Sequence, residues 1–115
     1  MTFKTTTQQR DEKRIFAGND TAHTATGSSG VTTTTPALTP LMLEATTGKL
    51  IAWDGQSAGA AVGVLALPLK GTESQLTYWK SGTFATEALL WPESVDAVKK
   101  ANAFVGSPIS HAALP

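Results

Sequence analysis

Gly55-Gln56-Ser57-Ala58-Gly59 matches the G-x-S-x-G spacing of a serine hydrolase, in which a strained turn holds a nucleophilic hydroxyl clear of the chain. Ser57, Asp96 and His111 also fall in the chain order Ser, Asp, His that one class of these enzymes uses. The flanking residues argue against that chemistry. A nucleophile elbow needs a strand before the turn and a helix after it, within a large parallel sheet of alternating strands and helices. Here the motif runs into Ala60-Ala61-Val62-Gly63-Val64-Leu65, a strand by pattern, and its residues are ordinary in loops. No catalytic residue is assigned, and the chain is not expected to be an enzyme.

Other site chemistries find less support. His23 lies in Ala22-His23-Thr24-Ala25-Thr26 and His111 in the C-terminal tail. Neither has a second histidine or a carboxylate at ligand spacing, and no cysteine is present, so no metal site is expected. His23 is expected instead to make local hydrogen bonds. Trp53, Tyr78, Trp79, Phe84 and Trp91 could stack on sugars or bases, but at strand and turn positions aromatics more often form core or interface anchors. No glycine-rich loop has the strand and helix context of a nucleotide site, and no cofactor is expected. Nine basic residues balance nine acidic ones, without the basic excess of a nucleic-acid binder.

Met1 to Arg14 is polar and charged, so it does not read as a secretory signal. Val62 to Leu67 is too short to span a membrane, and Pro68 breaks the apolar run at its end. A soluble protein that stays in the compartment of its synthesis is expected.

The elements that must position these residues centre on Thr39 to Leu69, which holds most of the aliphatic bulk. Leu41–Glu44 and Lys49–Trp53 flank Ala45-Thr46-Thr47-Gly48, a connection of hairpin length with glycine where positive φ is useful. Asp54-Gly55 is a second turn signal. Ala61 to Leu67 is apolar at both parities, as in a strand covered on both faces. Gly63 would let another backbone approach closely, and Pro68 marks a strand end. Leu76-Thr77-Tyr78-Trp79 reads as the next strand, and Lys80-Ser81-Gly82 turns into Thr83-Phe84. Thr86 to Leu90 suits a short helical turn ended by Trp91-Pro92. Ser94 is placed to cap an amphipathic helix from Val95 to Val105, with Gly106 as its stop. Val95, Val98, Ala101, Phe104 and Val105 would pack inward and Asp96, Lys99 and Lys100 would face water. Ser107 to Pro115 could be a strand, a docking segment or loose. Together these elements make a mostly β single domain with little helix.

Upstream the composition changes. Fourteen of the eighteen threonines precede residue 48, and Met1 to Pro36 offers only Phe3, Ile15, Phe16 and Val31 as sizeable apolar residues. In isolation such a segment cannot offset its ordering entropy and should be mobile, with Gly27-Ser28-Ser29-Gly30 as a flexible hinge or loop. The β-branched threonines of Lys4-Thr5-Thr6-Thr7 and the apolar island Arg14-Ile15-Phe16 would let it add as a strand to a partner's sheet edge.

A set of short motifs then occurs in order from Ala22 to Phe104. They are Ala22-His23-Thr24-Ala25-Thr26, Thr39-Pro40-Leu41-Met42-Leu43, Lys49-Leu50, Ala52-Trp53-Asp54-Gly55 and Ala60-Ala61-Val62-Gly63. Lys80-Ser81-Gly82-Thr83-Phe84, Leu90-Trp91-Pro92-Glu93, Lys99-Lys100 and Ala103-Phe104 complete it. Through these residues the chain resembles the head decoration proteins of lambdoid bacteriophages, on their head-stabilising branch. It departs from them in the arm, with its charged run Arg10-Asp11-Glu12-Lys13-Arg14 and with Asp20-Thr21-Ala22 where the family often has proline before the alanine.

The resemblance implies a β-clip fold, with a flexible capsid-binding arm over residues 1–20 and a β-rich trimerising domain over 21–115. It implies a late structural protein of the virion, made in the host cytoplasm. As a homotrimer, this would sit on the outer capsid surface at threefold sites of the expanded head and stabilise it against the pressure of packaged DNA. Its partners would be itself and the major capsid protein, with no direct nucleic acid and no membrane. Thr5, Thr6, Thr7, Gln8, Gln9, Arg14, Ile15 and Phe16 are the arm residues expected to contact the capsid. The alternative is a virion-surface adhesion or carbohydrate-binding module using exposed aromatics.

Overall fold

The computed structural model describes residues 14–114. Among the described residues, seven strands form two sheets. β1 (Thr24–Ser28), β2 (Pro40–Leu43), β3 (Leu50–Ala52), β4 (Ala61–Leu65) and β5 (Gln75–Trp79) form an antiparallel sheet in the order β1-β5-β4-β2-β3. β6 (Gly82–Ala85) and β7 (Ile109–Ala112) pair in parallel as a second sheet. Among the described residues, helix is confined to a 3₁₀ turn, Thr86–Ala88, and α1, Ala97–Ala101.

The expected hairpin is present: Leu41 faces Ala52 and Leu43 faces Leu50. The Glu44 N–H donates to the Lys49 carbonyl at 2.8 Å and the Gly48 N–H to the Glu44 carbonyl at 2.8 Å. Gly48, at φ 74°, takes the left-handed conformation that closes such a turn without strain. β4 is central, and its two faces serve two cores. Val64 lies with Trp53, Ala61, Phe84, Leu89, Ala103, Phe104 and Ile109. Leu65, one residue on, lies with Val31, Leu41, Leu50, Leu69 and Leu76. Alternation along a strand sends neighbours to opposite faces, so a run apolar at both parities is what this position requires. At Gly63 a Cβ would stand 2.7 Å from the Tyr78 ring and 3.0 Å from the Trp79 carbonyl, so glycine lets β5 close on β4.

The larger sheet curls onto itself. Beyond β1, Ser29 forms a parallel bridge with Leu50 of β3, and the Gly30 N–H donates to the Leu50 carbonyl at 2.8 Å. The continuation of one edge strand thus covers the opposite edge, protecting backbone groups that would otherwise pair with another chain. Val31 and Thr35 are buried behind it, and Thr35 pairs with Leu69. Threonine-rich residues 24–36 therefore belong to the folded body. The entropy argument holds for that segment alone. Within the chain it borrows core from Leu50, Leu69 and Leu76.

The expected helix over Val95–Val105 is corrected. It shortens to the single turn Ala97–Ala101, and Asp96 rather than Ser94 caps it, its Oδ1 accepting from the Lys99 N–H at 2.8 Å. Ser94 itself sits at φ 67°. Past residue 101 the carbonyls of Asn102 and Ala103 accept from the Gly59 and Ala61 N–H groups, which ties this segment to the approach of β4. The Ala103, Val105 and Ser107 amides fall back on carbonyls three residues earlier, so the chain steps through tight turns instead of continuing an α-helix. Ala103 and Phe104 are buried, whereas Val98 and Val105 are 69% and 63% exposed. The apolar positions of the pattern are therefore split between core and surface. The C-terminal tail supplies β7.

Candidate interaction surface and the assembled side chains

The residues of the hydrolase pattern are not assembled into a catalytic group. Ser57 lies exposed in the turn between β3 and β4, and its carbonyl accepts from the Trp53 indole N–H at 3.1 Å. Asp96 is occupied as a helix cap, with Lys99 Nζ 4.0 Å away. Both nitrogens of His111 are taken: Nε2 lies 2.9 Å from the Lys100 carbonyl and Nδ1 2.8 Å from the Thr86 hydroxyl. A carbonyl only accepts, so Nε2 carries a proton and donates to Lys100, while Nδ1 shares a hydrogen bond with the Thr86 hydroxyl. The ring stacks edge-on against Trp91 at 4.9 Å and Phe104 at 6.2 Å. It is a strut joining β7 to the 3₁₀ turn and to α1.

The bonds of His23 are not the local ones expected: its backbone N–H donates to Ser81 Oγ, 58 residues on, and its carbonyl accepts from the Lys80 N–H. The aromatics serve packing. Trp53 is buried and meets Trp91 edge-on at 6.2 Å. Trp91 donates its indole N–H to the Thr86 carbonyl and lies under Lys100 Nζ at 5.3 Å, a cation–π contact. No group of three metal-ligating side chains occurs among the described residues.

Of the expected arm contacts, Thr5, Thr6, Thr7, Gln8 and Gln9 lie outside the described residues. Arg14, Ile15 and Phe16 are described, and they lie against the chain's own body. Residues 15–17 run antiparallel along β6: the Ala85 N–H donates to the Ile15 carbonyl at 2.7 Å and the Ala17 N–H to the Thr83 carbonyl at 3.0 Å. Phe16 stands edge-on to Trp79 at 5.3 Å and tilted over Phe84 at 4.9 Å. Arg14 donates from Nε to the Phe16 carbonyl at 3.0 Å. Sequence reading found the apolar island but missed that its receptor, Trp79 and Phe84, lies over sixty residues downstream.

A second loop is fixed by charge. The Glu73 carboxylate accepts from the backbone N–H groups of Lys70, Gly71 and Thr72 at 2.9–3.2 Å. These bonds favour the ionised form, the one from Lys70 most, and hold the carboxyl below the ordinary glutamate range. Gly71, at φ 107°, is pressed against the backbone of Thr32 and Thr33, which a Cβ would meet at 2.8 Å. This turn clamps the threonine-rich segment to the sheet.

Residues 5–112 match the family of Bacteriophage lambda head decoration protein D. The chain belongs to that family. It is 73% identical over 115 residues, the whole of both chains, to the head decoration protein of Enterobacteria phage P21. It is also 50% identical over 99 residues to a protein assigned a decoration role in Escherichia phage N15, covering 85% of this chain and 90% of that one. Head decoration proteins are structural proteins, and the chain is not an enzyme.

Proposed function

We propose that the chain decorates the phage head, binding as a homotrimer at threefold sites on the outer surface of the expanded capsid and stabilising it against packaged DNA. The observation that carries this reading is identity of 73% with a head decoration protein across the full length of both chains. The β-rich body is in keeping with a β-clip fold. In this reading the protein is made late, in the host cytoplasm, and its partners are two further copies of itself and the major capsid protein.

Attachment runs through the arm, with Thr5, Thr6, Thr7, Gln8 and Gln9 as the contact segment, added as a strand to an edge of the capsid protein. The pairing of residues 15–17 with β6 supports the ability of this stretch to extend. A closed trimer presents three identical arms to a threefold site. Once one arm binds, the others act at millimolar-range effective concentration, so weak single contacts add to strong attachment. Because the trimer binds the assembled, expanded shell and not its separated subunits, it stabilises the shell by linkage.

The test is removal of residues 1–13, a cut that leaves Phe16 in place. The shortened chain should sediment as a trimer, lighter than three full chains of 12.0 kDa each by the mass of the three missing arms, and fail to bind expanded capsids. Capsid binding equal to that of the full chain would overturn the role of the arm, and a monomer would overturn the trimer.

A further inference from the structure

We propose that Phe16 is a latch that sets where the arm leaves the folded body, which makes it a positioning residue for capsid attachment and not a capsid contact. The inference rests on the arm reading above and adds a mechanical part to it.

Two separate sets of ties hold the root of the arm. The outer set is centred on Phe16, with its ring on Trp79 and Phe84, the bonds of Ile15, Ala17 and Gly18 to β6, and Arg14 folded back on the Phe16 carbonyl. The inner set is Ser81, whose Oγ donates to the Thr21 carbonyl and accepts from the His23 N–H. Asn19 and Asp20, between the two, are exposed. A chain freed from the whole outer set, Gly18 included, is therefore next fixed at Thr21. Polar arms do not need an aromatic pocket to remain attached to a domain. What the pocket adds is an attachment point nearer the contact segment.

The consequence can be counted. From Gln9 to Phe16 is 7 residues and from Gln9 to Thr21 is 12. Effective concentration falls roughly as the −3/2 power of tether length, so each arm after the first loses about twofold when the latch opens, and a three-armed molecule about fivefold in capsid affinity.

The experiment compares full-length variants on expanded capsids and by amide hydrogen exchange. Phe16→Ala should lose protection at the Ala17 and Ala85 amides while the Val64 and Leu65 amides stay protected, with capsid affinity reduced about fivefold. Gly18→Val opens the root without touching the aromatic pocket, since a Cβ there meets Thr83 Cβ at 2.8 Å and Asp20 Oδ1 at 2.9 Å, and should lose the same amount. A five-residue Gly-Ser insertion after Lys13 lengthens the tether from 7 to 12 with the latch shut. It should match the affinity of Phe16→Ala while keeping Ala17 protected, an equality that a purely structural role for Phe16 does not produce. Phe16→Leu, which refills the pocket, should restore most of the affinity. Unchanged capsid affinity in Phe16→Ala and Gly18→Val despite lost Ala17 protection overturns the latch, as does an Ala17 amide that stays protected in both. A loss far above that of the insertion variant makes Phe16 a direct contact and overturns it too. If deletion of residues 1–13 leaves binding intact, the arm reading itself falls.

Discussion

Glu73 shows how one carboxylate can hold a loop without a counter-ion. Three backbone N–H groups converge on it, an arrangement that is favourable only while the group is ionised. Its folded-state pKa lies below the ordinary glutamate value. The contribution is therefore present in full above the unfolded-state value and is lost as pH falls through the lower folded value. Glu73→Gln should be less stable than the parent at neutral pH, and the difference should close on acidification across that window. Urea unfolding from pH 7 to pH 3 checks it, and a gap that widens in acid contradicts the assignment. Ser57 is the opposite case. Its sequence context suggests chemistry, but in the fold it is an exposed turn residue whose carbonyl serves Trp53.

At the scale of elements, the two sheets are joined by side chains and not by continuous backbone pairing. Ala61 and Val64 of β4 pack with Phe84 of β6 and Ile109 of β7, while His111 ties the smaller sheet to its flanking turns, reaching from β7 to Thr86 and to the Lys100 carbonyl. His111→Leu keeps most of the volume between Trp91 and Phe104 but strands both partners. With both bonds part-buried, it should cost about 0.5–1.5 kcal/mol for each one lost. Thermal unfolding measures this, and a shift of Tm within error would remove the strut role. The short α1 has a related cause. Val95 to Val105 has helical periodicity, yet the carbonyls of Asn102 and Ala103 bond to the approach of β4. Tertiary bonds outcompete a propensity worth only tenths of a kcal/mol per residue.

For the whole molecule, much of the segment that composition marks as one belongs to the folded body. Residues 24–36 close the larger sheet and residues 15–17 extend the smaller one. Deleting residues 1–13 leaves Phe16 and its contacts with Trp79 and Phe84 in place. Deleting residues 1–16 removes the half-buried Phe16 as well and should cost about 1–2 kcal/mol more, from the apolar area it covers. Equal stability of the two truncations would mean that the Phe16 contacts contribute nothing.

Much of this protein is determined by its sequence alone. The hairpin around Gly48, the two-faced strand at Ala61–Leu65, the close approach at Gly63 and the strand at Leu76–Trp79 follow from local turn chemistry and alternation, which act over a few residues. The family is legible in the ordered motifs from Ala22 to Phe104. Tertiary structure decided what depends on distant partners. It turned threonine-rich residues 24–36 into the seam of a curled sheet and cut the C-terminal helix to one turn. It committed His111 at both nitrogens and seated Phe16 on Trp79 and Phe84. In each case the deciding partner is distant in sequence, and neither composition nor periodicity encodes which distant group will satisfy a buried backbone amide or cover an aromatic ring. The G-x-S-x-G stretch shows the same division: its turns were readable from Asp54-Gly55, while the idle state of Ser57 is fixed by where Asp96 and His111 are held.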